Sequence, residues 1–180
     1  MAMNLALIGY RGTGKSHVAR LLAKSLGWPM VDADVHVEQT AGRTIAQIFA
    51  DQGEAAFRDL ESSSLQTLTE HSEHVLSLGG GVILRESNRA RIADRCFTVW
   101  LTAPPEEIAR RLSLDQVTHT QRPSLTGKSP LEEIAEVLAA RLPLYQQCAD
   151  LVIETEGKTP EDVAQSILDQ LPSSLTQKEP

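Results

Sequence analysis

The stretch Gly9-Tyr10-Arg11-Gly12-Thr13-Gly14-Lys15-Ser16 decides the fold. It fits the pattern GxxxxGK[ST], which a chain of this length meets by chance at a rate on the order of 1%, taking glycine usage near about 7%. Its surroundings strengthen the reading. An apolar strand, Leu5–Ile8, leads into it. A helical pattern over Lys15–Leu26 leads out, with Val18, Leu21, Leu22 and Leu26 on one face. Glycines let the main chain turn and approach a ligand without a Cβ in the way. Successive N–H groups then form an anion nest, and the helix aims its positive dipole end at the same point. The expected ligand is the triphosphate of ATP. Lys15 is expected to reach the β- and γ-phosphates and Ser16 to ligate Mg²⁺, with Gly12, Thr13, Gly14 and His17 in the same ATP-binding stretch.

Outward from this loop, apolar runs alternate with helical ones. Further strands are predicted at Pro29–Asp32, Val75–Leu78, Phe97–Leu101 and Leu151–Ile153. Helices are predicted over Thr44–Ala50, Glu54–His71, Ser87–Ala93, Pro105–Leu112, Leu131–Gln146 and Pro160–Leu171. The strands are almost wholly apolar, as burial on both faces requires. The expected fold is α/β, a three-layer sandwich with a five-stranded parallel sheet between helices. Residues 1–171 are read as one domain and 172–180 as a disordered polar tail. Ligands of such sheets gather beyond the carboxyl ends of the strands. The segments starting at Gly9, Asp32, Gly79, Thr102 and Glu154 are therefore read as one site.

Several residues in those segments carry chemistry. Asp32 and Asp34 flank Ala33, and an extended backbone would turn both carboxylates to the same side. Many phosphate-loop proteins end the third strand with a metal-binding aspartate, but here Ser77-Leu78-Gly79 stands in its place. That favours Asp32 as the carboxylate near Mg²⁺, with Asp34 farther out toward an acceptor hydroxyl. A plain helix cap is the alternative for one of the two. Gly79-Gly80-Gly81 suits close approach of a ligand to the backbone, or simply a flexible turn. Arg58 and Glu61 share a helix face, either as a solvated pair or as a pair that aims the guanidinium at a carboxylate ligand. The polar stretch 113–130, carrying Arg122-Pro123, is long for a loop and reads as a mobile lid or else as an ordinary exposed loop. Pro143 interrupts a helical pattern, and Arg141 is the residue that its turn would present.

The formal net charge is −7, and no basic run is present. Coating nucleic acid or an anionic membrane is not expected of such a chain. Hydrophobic residues make up 41% and charged ones 23%, as in soluble globular proteins. No apolar run approaches the ~20 residues that span a bilayer, and no signal peptide is recognised, so a cytoplasmic protein is expected. Cys96 and Cys148 lack metal-ligand spacing and are read as reduced packing residues.

Taken in order, GYRGTGKS, DAD (Asp32–Asp34), FRDLE (Phe57–Glu61), GGG (Gly79–Gly81), Arg122-Pro123 and RLPLY (Arg141–Tyr145) resemble the shikimate kinase family from Asn4 to Leu171. The resemblance implies a P-loop kinase fold and transfer of the γ-phosphate of ATP to the 3-hydroxyl of shikimate. It implies that Asp34 holds the hydroxyls and is the candidate base, that Arg58 and Arg141 grip the carboxylate, and that Gly80 offers a backbone contact. Phe49 and Phe57 would line the pocket, Arg122 would close on the phosphates, and Lys158 would border the adenine. Lys15, Asp34 and Arg122 are the catalytic residues so implied, Ser16 and Asp32 the metal-holding ones, and a monomer is expected. One departure is Ser124, where many relatives have leucine after the lid proline. A gluconate or nucleoside monophosphate kinase, or a nucleotide-binding module without catalysis, are the other readings.

Overall fold

The computed structural model describes residues 3–114 and 129–176. Five parallel strands, β1 (Asn4–Ile8), β2 (Met30–Asp32), β3 (Val75–Ser77), β4 (Cys96–Thr102) and β5 (Leu151–Glu154), lie in the order β2-β3-β1-β4-β5. The helices are α1 (Lys15–Leu26), α2 (Ala33–Ala41), α3 (Ile45–Leu68), α4 (Glu86–Arg95), α5 (Pro105–Leu114), α6 (Pro130–Cys148), α7 (Pro160–Leu168) and α8 (Ser173–Thr176), with a 3-10 turn at Val82–Leu84. This is the expected sandwich.

β1 explains the layering. It is central and wholly buried, and its side chains alternate between two cores. Leu5 and Leu7 pack with Val18, Ala19 and Leu22 of α1 and with Val163 and Ile167 of α7. Ala6 and Ile8 pack on the other face with Leu65 of α3, Ile92 of α4 and Tyr145 of α6. Double burial on this scale is what the unbroken apolar run in β1 reflects. Cys96 and Cys148 are free, and burial pushes the Cys96 thiol up to about 12, so both pack rather than react.

Three boundaries differ from expectation. The chain leaves the extended state at Asp32, because the Asp32 carboxylate accepts from the N–H groups of Asp34 and Val35 and caps α2. Asp34 therefore sits in a first helical turn, not on a strand, and the same-side argument for the two aspartates does not hold. The lid reading loses its ends: Ser113 and Leu114 complete α5, while Ser129 caps α6 in a capping box with Glu132. The rest of the predicted lid, with Arg122, lies outside the described residues. The tail contains α8, whose Leu175 is buried.

The two helices predicted on either side of Gly53 form one kinked helix, α3. Gly53 has φ 79° and ψ 179°, a backbone region that is open essentially to glycine alone. The kink lets Ile45 and Ile48 close over Phe57 and Val37. No atom lies within 4 Å of a Cβ built at Gly53, so any cost of a side chain there is pure backbone strain. Gly53→Ala should lower stability by about 1–3 kcal/mol, or roughly 2–4 °C of melting temperature per kcal/mol. An unchanged thermal unfolding curve would contradict this account of the kink.

Candidate active site

The phosphate loop joins β1 to α1, whose N-terminus is Gly14 in a left-handed conformation (φ 90°). Lys15 is 9% exposed, and its Nζ donates to the carbonyls of Gly9 and Tyr10 at 2.8 and 2.9 Å. The ammonium is thus drawn across the loop that it serves. Thr13 Oγ1 donates to Tyr10 O at 2.7 Å and tightens the same turn. Above α1 opens a pocket of about 420 Å³, large enough for a small ligand. Gly12, Gly14, His17, Arg110, Lys158 and Pro160 are among its walls. Lys158 and His17 therefore share one cavity with the loop.

Arg111 organises that pocket and was not singled out in the sequence. Its guanidinium donates to Thr155 Oγ1 and Thr155 O, both at 2.9 Å, to Gly12 O at 3.4 Å and to Glu107 Oε1 at 2.7 Å. It bridges α5, the phosphate loop and the turn after β5. The available signal was the Glu107–Arg111 pair, four residues apart just beyond a strand end. Hydrogen bonds from Arg110 and Arg111 hold the Glu107 carboxyl down at about 2, so this brace stays charged throughout the neutral range.

Ser16 Oγ donates to Asp32 Oδ2 at 2.5 Å and lies 3.1 Å from Ser77 Oγ. The pairing of Asp32 with Ser77 across β2 and β3 brings these oxygens together. Asp32 is therefore both a helix cap and a neighbour of Ser16. Ser77 was seen only as the absence of an aspartate, yet its hydroxyl joins the cluster. Two hydroxyls and a carboxylate make an all-oxygen donor set, which suits a hard cation such as Mg²⁺.

The triple glycine is where the other half of the site assembles. Each glycine meets a different functional side chain. A Cβ built at Gly79 would lie 2.8 Å from Asp34 Oδ1 and 2.9 Å from Glu61 Oε1. The Gly80 carbonyl accepts from Arg141 Nη1 at 3.1 Å and from the Tyr145 hydroxyl at 2.6 Å. A Cβ at Gly81 would overlap the Arg58 guanidinium itself. Close approach of side chains at Gly79 and Gly81, and of the Gly9 carbonyl at Gly80, where it would stand 3.1 Å from a Cβ, accounts for the run of glycines.

Arg58 is no solvated surface residue. It is 9% exposed and Glu61 3%, with Arg58 Nη1 donating to Glu61 Oε2 at 2.7 Å and Nη2 to Glu54 Oε1 at 3.0 Å. Burial alone would lower its pKa, but the charges and hydrogen bonds of Glu61 and Glu54 raise it above the usual arginine value. The guanidinium also lies over the Phe57 ring, 5.2 Å from its centroid, and Phe57 packs on Phe49 at 4.9 Å. α6 runs through Pro143 without ending and presents Arg141 to Gly80 from its flank.

The shikimate kinase family model matches residues 11–172. The chain belongs to the shikimate kinase family. It is 45% identical to the shikimate kinase of Rhodopirellula baltica over 174 residues, which is 97% of this chain and 93% of that one. It is 41% identical to the enzyme of Thermodesulfovibrio yellowstonii, covering 92% of each chain. Among solved structures, the shikimate kinase of Acinetobacter baumannii in complex with shikimate superposes with a TM-score of 0.89 at 34% identity, covering 98% of this chain and 97% of the other. A gluconokinase from Sinorhizobium meliloti is similar at a TM-score of 0.58 and 16% identity, a likeness of fold alone. Family membership makes the chain an ATP-dependent kinase.

The Gly81 contact yields a test. Gly81→Ala should displace the Arg58 guanidinium and raise KM for an anionic acceptor about tenfold or more, the loss expected for one charge-assisted hydrogen bond. KM for ATP should move less than about twofold, since the phosphate loop is untouched. Equal effects on both substrates would show that Gly81 matters only for folding.

Proposed function

We propose that this chain transfers the γ-phosphate of ATP to the 3-hydroxyl of shikimate, giving shikimate 3-phosphate and ADP, in chorismate and aromatic amino-acid biosynthesis. One observation carries the reading beyond family membership: Asp34, Arg141 and Arg58 meet Gly79, Gly80 and Gly81 in turn, directly beside the phosphate loop. Shikimate is a small anionic polyol. Two guanidinium groups suit its carboxylate in fork geometry, and one carboxylate suits its hydroxyls.

In this reading the main-chain N–H groups of the loop and Lys15 hold the ATP phosphates, with Gly12, Thr13, Gly14, Ser16 and His17 around them. Lys158 borders the adenine in the pocket over α1, where Arg110, Arg111 and Pro160 add walls. Ser16 and Asp32 would hold Mg²⁺, with Ser77 beside them, and the ion would supply charge neutralisation at the phosphates. Arg58 and Arg141 fix the acceptor carboxylate, so that the 3-hydroxyl lies toward Asp34. The Asp34 carboxylate accepts the hydroxyl hydrogen and takes its proton. The new O–P bond forms as the bond from the γ-phosphorus to the ADP oxygen breaks. Positioning and charge stabilisation supply most of the rate. The part given to Arg122, closing on the phosphates, rests on the sequence resemblance alone. The same reading takes residues 1–171 as one kinase domain, monomeric and cytoplasmic, without nucleic-acid or membrane partners. Among the described residues no helix is long and apolar enough to cross a membrane.

Purified protein with Mg·ATP should release ADP with shikimate, and not with gluconate or nucleoside monophosphates. Turnover with another acceptor and none with shikimate would overturn the proposal. Arg141→Ala should raise KM for shikimate roughly 30-fold or more, as expected when a charge-assisted pair worth about 2 kcal/mol is lost, with ATP affinity nearly unchanged. Asp34→Asn should lower kcat by about 10²–10⁴. If kcat stays within a few-fold, Asp34 only orients the hydroxyl.

A further inference from the structure

Tyr145 has no exposed surface, although it lies four residues beyond Arg141 on a helix that flanks the cleft. A buried phenol needs a partner for its hydroxyl. This one donates to Gly80 O at 2.6 Å, the same carbonyl that Arg141 Nη1 reaches at 3.1 Å. The ring is stacked on Trp100 of β4, with centroids 5.5 Å apart and planes 13° from parallel. Trp100 in turn sits in the central sheet, opposite Ile8 of β1. A rigid line thus runs from the strand before the phosphate loop, through Trp100 and Tyr145, to the middle of the triple glycine.

Glycine peptides turn easily, and the carbonyls on either side are held by the 3-10 turn, Gly79 O accepting from Val82 N–H at 3.1 Å and Gly81 O from Leu84 N–H at 3.0 Å, which leaves the Gly80 carbonyl to be held from outside. The direction of the peptide between Gly80 and Gly81 is set by what holds its carbonyl. Because the peptide is planar and trans, fixing that carbonyl also fixes the opposed N–H of Gly81. We propose that Tyr145 is a positioning residue for acceptor binding: its hydroxyl anchors the Gly80 carbonyl, and thereby orients both the glycine turn and the Arg141 guanidinium that shares this acceptor. Burial pushes the phenol up to about 12, so it remains a donor at any working pH. Tyr145 touches no reacting atom and acts only through Gly80 and Arg141.

The inference rests on the acceptor reading above, and the experiment separates the two. A scan of acceptors with wild-type protein tests that reading by itself. Tyr145→Phe is then compared with wild type using whichever acceptor supports ADP release. The ring and its stacking remain, and only the hydroxyl is lost. KM for the acceptor should rise about tenfold, the value of one buried hydrogen bond to a well-placed group, while KM for ATP changes less than about twofold. Thr69→Val serves as the control. It removes another fully buried hydroxyl, which donates to Leu65 O at 2.7 Å and accepts from Arg91 Nε, in a place remote from the glycines. It should lower the melting temperature without changing acceptor KM. In an Arg141→Lys background the effect of Tyr145→Phe should shrink below about threefold, because the two side chains act through one carbonyl. A Tyr145→Phe variant that loses stability but keeps acceptor KM, as Thr69→Val does, overturns the proposal, and so do additive effects with Arg141→Lys. Should Tyr145→Phe fail to fold, Trp100→Phe keeps the hydroxyl and loosens its support. Raised acceptor KM there supports the anchor, and unchanged KM overturns it.

Discussion

Parallel pairing of β1 on both edges is the constraint from which the rest of the site follows. Leu7 lies opposite Ser77 on one side and Val99 on the other, so β1 and β3 end within one residue of each other. The phosphate loop and the triple glycine then have no room to part. A Cβ at Gly80 would stand 3.1 Å from Gly9 O and 3.6 Å from Tyr10 Cα, so the two turns are in van der Waals contact. Donor and acceptor halves share a backbone wall. A one-residue slip of β3 would swap its side chains between the two cores and carry Ser77 away from Ser16. Burial of the whole of β1 thus holds the catalytic layout as well as the core.

Electrostatics on the acceptor side serve binding more than stability. Arg58 is paired with both Glu61 and Glu54, and Asp34 lies beside Glu61 at Gly79. Buried ion pairs repay their desolvation only with good geometry, and apolar replacements of the same volume are often as stable. As a fold element alone this group gains little over such a replacement. It makes sense as a preorganised receptor: the carboxylates hold the guanidinium in one orientation against Gly81, so little is reordered when a carboxylate ligand arrives. The net charge of −7 does not argue against this, because on the proposed function the anion meets local guanidinium groups and not the mean field of the chain.

Much of this was legible in the sequence, for identifiable reasons. The strand ends were readable because doubly buried strands are continuous apolar runs, and α1 was found residue for residue because its stripe of Val18 and Leu22 is regular. Helix α2 was harder. Its pattern, ADVHVEQTA, buries only Ala33 and Val37, too few for a period to show, and the cap by Asp32 was weighed only as an alternative to metal binding. The two readings are compatible, since one carboxylate oxygen caps the helix while the other accepts from Ser16. Arg58, Arg141 and the glycines were found as separate motifs, but their meeting at Gly79–Gly81 is a property of three helices. No spacing along the chain encodes it. Arg111 escaped for the same reason: three of its partners, Gly12, Thr155 and Glu107, come from three segments.

The two halves of the site are built from different materials, and that difference bears on how specificity is held. On the proposed function the nucleotide half is a main-chain nest with its lysine, so the side chains at the x positions of GxxxxGK[ST], those of Tyr10, Arg11 and Thr13 (the fourth x is Gly12), contribute packing more than recognition. The acceptor half is made of side chains, Asp34 from α2, Arg58 and Glu61 from α3, and Arg141 from α6, around a turn that has no side chains of its own. Exchanging those side chains would alter the acceptor and leave the phosphate loop intact. His36 shows how the two sides of that half are tied. Its Nδ1 lies 2.8 Å from Ser64 Oγ, joining α2 to α3 two residues beyond Asp34 and three beyond Glu61. A gluconokinase at 16% identity shares the fold alone, and on the proposed function the helices facing the glycine turn are what select the acceptor hydroxyl.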